Sequence, residues 1–317
     1  QTGNRALMDI MDKMEGHATM CCQALARPSF RLATYQEVAE TFYQWCCAEG
    51  WAPCDNFQAN WAADQNGFFV LEQNGAICCI VSVVKYSTDF AFVGCFICVK
   101  ELRGKGLGLS LWRHALATAG TRSIGLDGVE IRVADYEKSG FVVAYRNIMF
   151  HSPLTTLVSR SIPLPPDTKL GFASDVAFET LANYDALHFP ARRPELLRAV
   201  MSGSHAYSRV LTTPDDEVCA FGVIRPAKSA WRVGPLYARS QQLAEALLVE
   251  LARCALNASD STVPQLSDVS IITPECNQLM PSGLGLIQVT TCVRMYRGSV
   301  DEPSLPCVFG ILGYELG

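Results

Sequence analysis

Phe96-Ile-Cys-Val-Lys-Glu-Leu-Arg-Gly-Lys-Gly-Leu-Gly-Leu-Ser-Leu-Trp112 is the stretch on which the reading of this chain turns. A strand, about Phe90 to Val99, enters the loop Arg103-Gly104-Lys105-Gly106-Leu107-Gly108. A helix leaves the loop with Leu107, Leu111 and Ala115 on one face and stops at Gly120. Glycines let backbone turn tightly and approach a ligand. The amides of such a loop and of the first helical turn lack intrahelical partners, and the helix dipole adds positive potential, so the segment can cradle a pyrophosphate. Arg103 and Lys105 add charge. An ordinary strand-to-helix turn could use the same glycines, so context has to decide. A dinucleotide fold needs Gly-x-Gly-x-x-Gly early in its domain, whereas the spacing here is Gly-x-Gly-x-Gly and late. A Walker A loop needs Gly-Lys-Ser/Thr, and Ser110 is misplaced for it.

Elements on either side give that context. Thr34 and Glu37 form a capping box, and Val38, Phe42 and Trp45 follow at helical spacing to about Ala48. Residues 67–71 and 76–86 read as strands joined by the hairpin turn Gln73-Asn74-Gly75. A further strand, a short helix near 130–139 and a strand at 142–150 follow the loop helix. Three prolines in four positions at 163–166 mark a domain boundary. Beyond it the order recurs: a helix at 175–189, strands at 208–212 and 218–224, then Trp231-Arg-Val-Gly-Pro-Leu-Tyr and a helix at 241–256. Helix, hairpin, strand, helix therefore occurs twice. The expected organisation is an N-terminal extension (1–30), a first domain (31–158) and a second (168–317). The expected fold is α/β, with mixed, mostly antiparallel sheets.

The loop fits the Arg/Gln-x-x-Gly-x-Gly/Ala pattern of the GNAT acetyltransferase family at Arg103, Gly106 and Gly108. Tyr136-Glu-Lys-Ser-Gly-Phe141 resembles that family's Tyr-x-x-x-Gly-Phe. Segments such as Glu49-Gly-Trp, Val233-Gly-Pro-Leu and Arg294-Met-Tyr-Arg-Gly look like a tandem-GNAT subgroup. The resemblance implies transfer of an acetyl or short acyl group from acetyl-CoA to an amine, in a ternary complex. It also implies that Ile97, Cys98 and Val99 offer backbone to pantetheine, that 103–108 holds the pyrophosphate, and that Tyr136 protonates the leaving thiolate. Packing on the sheet is the other reading of Tyr136. Glu101 and Asp127 are candidate bases, and neither is compelling. The second half has Ala238-Arg-Ser-Gln-Gln-Leu243 where the first has glycines, so it should hold no CoA and instead wall the acceptor pocket. Tyr184, Asp185, His188 and Arg192 are its candidate contacts. Asp185 could pair with an ammonium, and Arg192 or Arg193 with a carboxylate, which would suit an amino-acid-like acceptor. A non-catalytic acyl-CoA sensor and a longer-chain acyltransferase are the rival readings.

Composition narrows the partners. The chain has 317 residues, 49% hydrophobic, with a net charge of -5 and no Lys/Arg-rich block, so no nucleic-acid partner is expected. No metal-ligand pattern and no membrane-length apolar run is visible. The first 27 residues carry no secretory signal, and a cytoplasmic location is expected. The 14 cysteines, including the adjacent pairs 21–22, 46–47 and 78–79, show no framework spacing and read as reduced thiols. Cys95 and Cys98, three apart on a strand, point to opposite faces and should not bridge.

Overall fold

The computed structural model describes residues 27–54, 57–258, 265–301 and 303–317. The expected extension lies outside the described residues except for 27–30, as do Cys21 and Cys22.

Thirteen strands form one sheet. The first half supplies β1 (Ser29–Leu32), β2 (Phe68–Gln73), β3 (Ala76–Lys85), β4 (Phe90–Cys98), β5 (Ser123–Val129) and β6 (Val142–Pro153). The second supplies β7 (Lys169–Phe172), β8 (Tyr207–Thr212), β9 (Val218–Pro226), β10 (Trp231–Ala238), β11 (Asp268–Pro274), β12 (Ile287–Arg297) and β13 (Val308–Gly310). Their order is β1-β2-β3-β4-β5-β12-β6-β11-β10-β9-β8-β7, with β13 on β10. Among the described residues only β4–β5 and β10–β11 pair in parallel, so the mixed, mostly antiparallel expectation holds.

The halves interlock. β12, from the second half, lies between β5 and β6, and β6, from the first, has second-half strands on both sides. One residue pair fixes this register electrostatically. Arg294 on β12 faces Asp127 on β5 and grips its carboxylate with two hydrogen bonds, Nε–Oδ1 2.8 Å and Nη2–Oδ2 2.7 Å. Both side chains are buried. Tyr145 and Tyr296 flank the guanidinium, and Asn147 donates to Asp127 as well. Removing either charge would strand the other away from water, at about 3–5 kcal/mol.

Each half is a sheet between helices. In the first, the loop helix Leu107–Ala117 buries Leu111, Trp112, Ala115 and Leu116 against Val81, Val83, Ala91 and Leu126. The opposite face is covered by the helical stretch 35–48, which has one wide π turn at Val38–Phe42. That stretch starts at the predicted capping box: Thr34 Oγ1 accepts from the Glu37 amide, and Glu37 accepts from the Thr34 amide. Its Val38, Phe42 and Cys46 pack on Phe68, Val70 and Ile80. In the second half the helix Gln241–Leu256 takes the place of the loop helix, burying Ala244, Leu247, Leu248 and Leu251.

Candidate functional site

β4 and β5 pair only from Phe90↔Ser123 to Val93↔Leu126. Beyond Val93 the strands diverge. β4 keeps its other neighbour through Ile97↔Ile80 and Cys98↔Cys79, with a shift of register between Ile80 and Ser82. The turning point is Gly94-Cys95, where Cys95 takes φ 50°. The result is a V-shaped opening with Gly94 at its vertex and β4 backbone along one wall. The Val99 amide is turned toward β3, donating to Cys78 O at 3.0 Å. Amide and carbonyl directions alternate along a strand, so Cys98 presents its backbone to the opening. Its carbonyl already accepts from Arg103 Nε at 2.9 Å.

The glycine loop closes the wide end. Gly104 and Gly106 sit at φ 77° and 81°, and nothing lies within 4 Å of where their Cβ atoms would be. Gly108 serves a different purpose: a Cβ there would meet Cys98 Sγ at 2.8 Å, so this glycine lets the helix approach the strand. From Gly104 to Leu109 the backbone N–H groups donate to no described residue, and the ladder starts with Ser110 N–H to Gly106 O at 3.0 Å. This is a patch of unpaired donors at a helix N-terminus, suited to a polyanion. Arg103 differs from expectation: its guanidinium is held by Glu49 and the Cys98 carbonyl, so it braces the loop against the strand. Lys105 is exposed at the loop tip.

Tyr136 is half-buried on the loop-helix face. Its ring lies against Gly128, where a Cβ would collide with it, and 5.6 Å from the Trp112 ring, which is in turn 5.0 Å from Phe96. Its hydroxyl has no hydrogen bond to a described residue. Burial pushes the phenol up to about 12, so it stays protonated at any physiological pH. The side chain thus stands at the β5 wall of the opening with its proton in place.

The second half has the same divergence. β10 and β11 pair from Trp231↔Val269 to Val233↔Ile271, then part at Gly234. Here β13 fills the gap: Leu236↔Gly310 and Tyr237↔Val308 pair it to β10. Ile311 N–H donates to Ile272 O at 2.9 Å, and Thr273 Oγ1 to Phe309 O at 2.9 Å, tying the segment to β11. The Ile311 carbonyl occupies the space that a Cβ on Gly234 would need. The loop that follows caps its helix with its own side chain, Ser240 Oγ accepting from Leu243 N–H.

The four residues expected at an acceptor pocket do not gather around an opening. Asp185 is buried and its carboxylate pairs with Arg193 (Nε–Oδ2 3.0 Å, Nη2–Oδ1 3.2 Å) and accepts from Tyr237 Oη. Tyr184 Oη donates to Cys219 O. Arg192 is exposed and pairs with Glu179. His188 stacks on Tyr237, its centroid 4.4 Å away, and burial lowers its pKa, so the ring is neutral at pH 7. The cavity it lines, shared with Tyr145, Arg193 and Arg294, holds about 10 Å³, space for one water and not for a substrate. The sequence-based ammonium and carboxylate roles thus give way to an internal Asp185–Arg193 pair. Asp127, one candidate base, is locked by Arg294 and Asn147; Glu101, the other, is exposed in the turn Lys100–Leu102.

The expectation of reduced thiols also needs correction. Cys79 and Cys98 are joined in a disulfide because they are direct partners across β3–β4. Cys95 is a free thiol, as its spacing from Cys98 predicts. Among the described residues no cluster of His, Cys, Asp or Glu could hold a metal, and no helix is long and apolar enough to cross a membrane.

Comparison with known proteins agrees with this geometry. The Acetyltransferase (GNAT) family matches residues 32–141, and an Acetyltransferase (GNAT) domain family matches residues 181–305. Holothin acyltransferase from Pseudoalteromonas sp. (strain SANK 73390) is 28% identical over 279 residues, covering 86% of this chain and 90% of that one. A putative acetyltransferase from Pyrococcus horikoshii shares the fold with a TM-score of 0.72 at 20% identity, over 94% and 98% of the two chains. A tandem GNAT protein from the clavulanic acid biosynthesis pathway does so with a TM-score of 0.60 at 14% identity, over 88% and 100%. With one GNAT match in each half and an acyltransferase relative spanning most of both, the chain belongs to the GNAT superfamily as a tandem-GNAT acyltransferase.

Proposed function

We propose that the chain transfers an acetyl or other short acyl group from coenzyme A to an amine, at the open cleft of the first half. One observation carries this reading: β4 and β5 part at Val93, and the freed end of β4 runs alongside unpaired amides from Gly104 to Leu109. A pyrophosphate on those amides would direct pantetheine along β4, past Ile97, Cys98 and Val99, and bring the thioester to the vertex. Tyr136 stands beside that path. The amine nitrogen attacks the thioester carbon, the tetrahedral adduct collapses, and the departing thiolate takes a proton from the Tyr136 hydroxyl. The proton lost by the nitrogen restores the phenol. The acceptor would approach from the face opposite the loop helix, where the second half adds the segment 308–317. Isothermal calorimetry with acetyl-CoA tests the reading: one molecule should bind per chain, and two equivalent sites would refute it.

A further inference from the structure

Segment 308–317 does not stop in the second cleft. From β13 it crosses the seam and ends at the vertex of the first. Tyr86 Oη donates to Leu316 O at 3.0 Å, and Arg193 Nη1 donates to the carbonyls of Leu316 and Gly317. The Leu316 and Gly317 amides both donate to Gly313 O, and this turn sets the position of Glu315. The Glu315 backbone then packs on Gly94 itself. A Cβ on Gly94 would come within 2.7 Å of Glu315 O and 3.0 Å of its Cα. The glycine is what allows this contact.

Two groups at this point have no structural employment. The half-buried Glu315 carboxylate makes no hydrogen bond or ion pair to a described residue. Ser82, paired with Gly94 across β3–β4, is 1% exposed, and its hydroxyl also lacks a partner; it lies 3.0 Å from the same Cβ position. The neighbours that feel the Glu315 charge are the Cys46 thiol and the Tyr86 hydroxyl, both neutral groups. Two arginines hold this segment through its carbonyls: Arg193, whose charge is paired with Asp185, and Arg225, which donates to Leu312 O. The Glu315 backbone and the Ser82 hydroxyl meet at Gly94, while the carboxylate folds back over Gly313. A carboxylate without a cation and a buried hydroxyl without a partner, borne by two residues that meet at one glycine, call for a polar guest bearing hydrogens.

We propose that Glu315 is the base that receives the proton of the acceptor's ammonium, with Ser82 hydrogen-bonding the same nitrogen. This rests on the acyl transfer proposed above. The acceptor enters as R–NH3+; one N–H bond breaks and its proton passes to the Glu315 carboxylate, leaving the nitrogen lone pair free. That pair forms the new C–N bond and the C–S bond breaks, its electrons leaving with the thiolate, which takes the Tyr136 proton; the second N–H bond breaks as the amide forms, and that proton restores the phenol through solvent. Tyr136 lies on the opposite face of the sheet, so acid and base address the thioester from two sides. Glu315 returns its proton to water between turnovers.

The test uses the full chain, acetyl-CoA and two kinds of nucleophile: a panel of primary alkylamines and α-amino acids, protonated at neutral pH, and hydroxylamine, already unprotonated there. Glu315→Gln should lower kcat/KM with the best amine of the panel by about 10²–10⁴-fold. Hydroxylamine should recover turnover to within about threefold of the unaltered chain, and acetyl-CoA affinity should stay within about twofold. Equal loss with both nucleophiles, or loss with neither, overturns the assignment. Should Glu315→Gln not fold, Glu315→Asp is compared in the same way, with a smaller loss confined to the protonated amines. If the unaltered chain binds acetyl-CoA yet acylates neither class, the transfer reaction itself is refuted and this assignment falls with it.

Discussion

Two clefts of like shape behave differently in this molecule. In both, a parallel strand pair runs for three or four residues and parts at a Val-Gly step, Val93-Gly94 in one half and Val233-Gly234 in the other. The first stays open and is followed by glycines at positive φ with free amides. The second is filled by β13 and followed by a helix that caps itself through Ser240. An opened sheet has unpaired strand edges, and these must be satisfied by something. The second half satisfies its edge with the chain's own backbone. The first leaves its edge unpaired beyond Val93, as the proposed ligand site requires. The lesson is that one framework can carry an open cleft in one half and a cleft filled by its own strand in the other.

The largest effect that bears on this contrast is deletion of 308–317. The segment buries Val308, Phe309, Ile311, Leu312 and Leu316. At about 1.5–3 kcal/mol per side chain the burial is worth on the order of 10 kcal/mol, the size of a whole domain's net stability. The truncated chain should not give a cooperative thermal transition. A truncated protein with an unchanged melting temperature would show that β13 is an ornament and that the second cleft tolerates being open.

Next is Gly106→Val, which should raise the Kd for acetyl-CoA by more than about 100-fold. A branched side chain at φ 81° costs about 1–2 kcal/mol in backbone strain and projects into the space the phosphates need. A substitution in the second loop, Gln241→Val, next to the N-cap Ser240 that corresponds to Gly106, should leave binding unchanged. Equal losses in the two variants, read by calorimetry, would mean that the clefts do not differ as proposed.

Tyr136→Phe follows. The ring keeps its contacts with Gly128 and Trp112, and only the proton donor is lost. The expected fall in kcat is about 10²–10⁴-fold with acetyl-CoA affinity within about twofold. Because burial holds the phenol near 12, no alkaline loss of activity from Tyr136 is expected below about pH 11. An unchanged kcat would assign the side chain to packing.

Much of this contrast is legible in residues close together in sequence. The capping box, the Asn74-Gly75 hairpin and the glycine loop are local signals with local causes, and the structure has all three. The Val-Gly step recurs in both halves, and the missing glycines after Tyr237 point to a lost phosphate site. Partner choice across the sheet is not legible. Alternation along β12 says which face Arg294 occupies and is silent on whether its neighbour is β5 or another strand. So Asp127 reads as a candidate base, when it is half of a buried pair. Asp185 and Arg193 look like free charges for the same reason, eight residues apart and joined through a bend. Cys79 and Cys98 meet only because β3 and β4 share a register. The residues 308–317 are short, apolar and glycine-rich, with no period that would mark them as the strand that closes a cleft.

The smallest effect concerns the helices on the sheet face opposite the loop helix and its counterpart. The first-half stretch 35–48 begins with Thr34, Glu37 and Arg31 in one network, Arg31 also reaching Glu72 on β2. Its second-half counterpart, Phe178–Ala186, begins at Ala177 with no side-chain cap. The Arg31 hydrogen bond holds the Glu37 carboxyl down at about 2. A carboxyl with a lowered folded-state pKa stabilises the fold above its unfolded value, about 4.3, and that stabilisation is lost as pH falls toward 2. Arg31 is 37% exposed, so solvent screening reduces the contribution to about 1 kcal/mol. Urea titrations between pH 5 and pH 2.5 should therefore show a loss of about that size that is absent in Glu37→Gln, whose stability is already lower at pH 5. Glu179→Gln in the uncapped helix should leave the pH dependence of the unaltered chain in place. If Glu37→Gln retains the full acid sensitivity, the network is not what distinguishes the two helices, and the asymmetry of the halves is confined to the clefts.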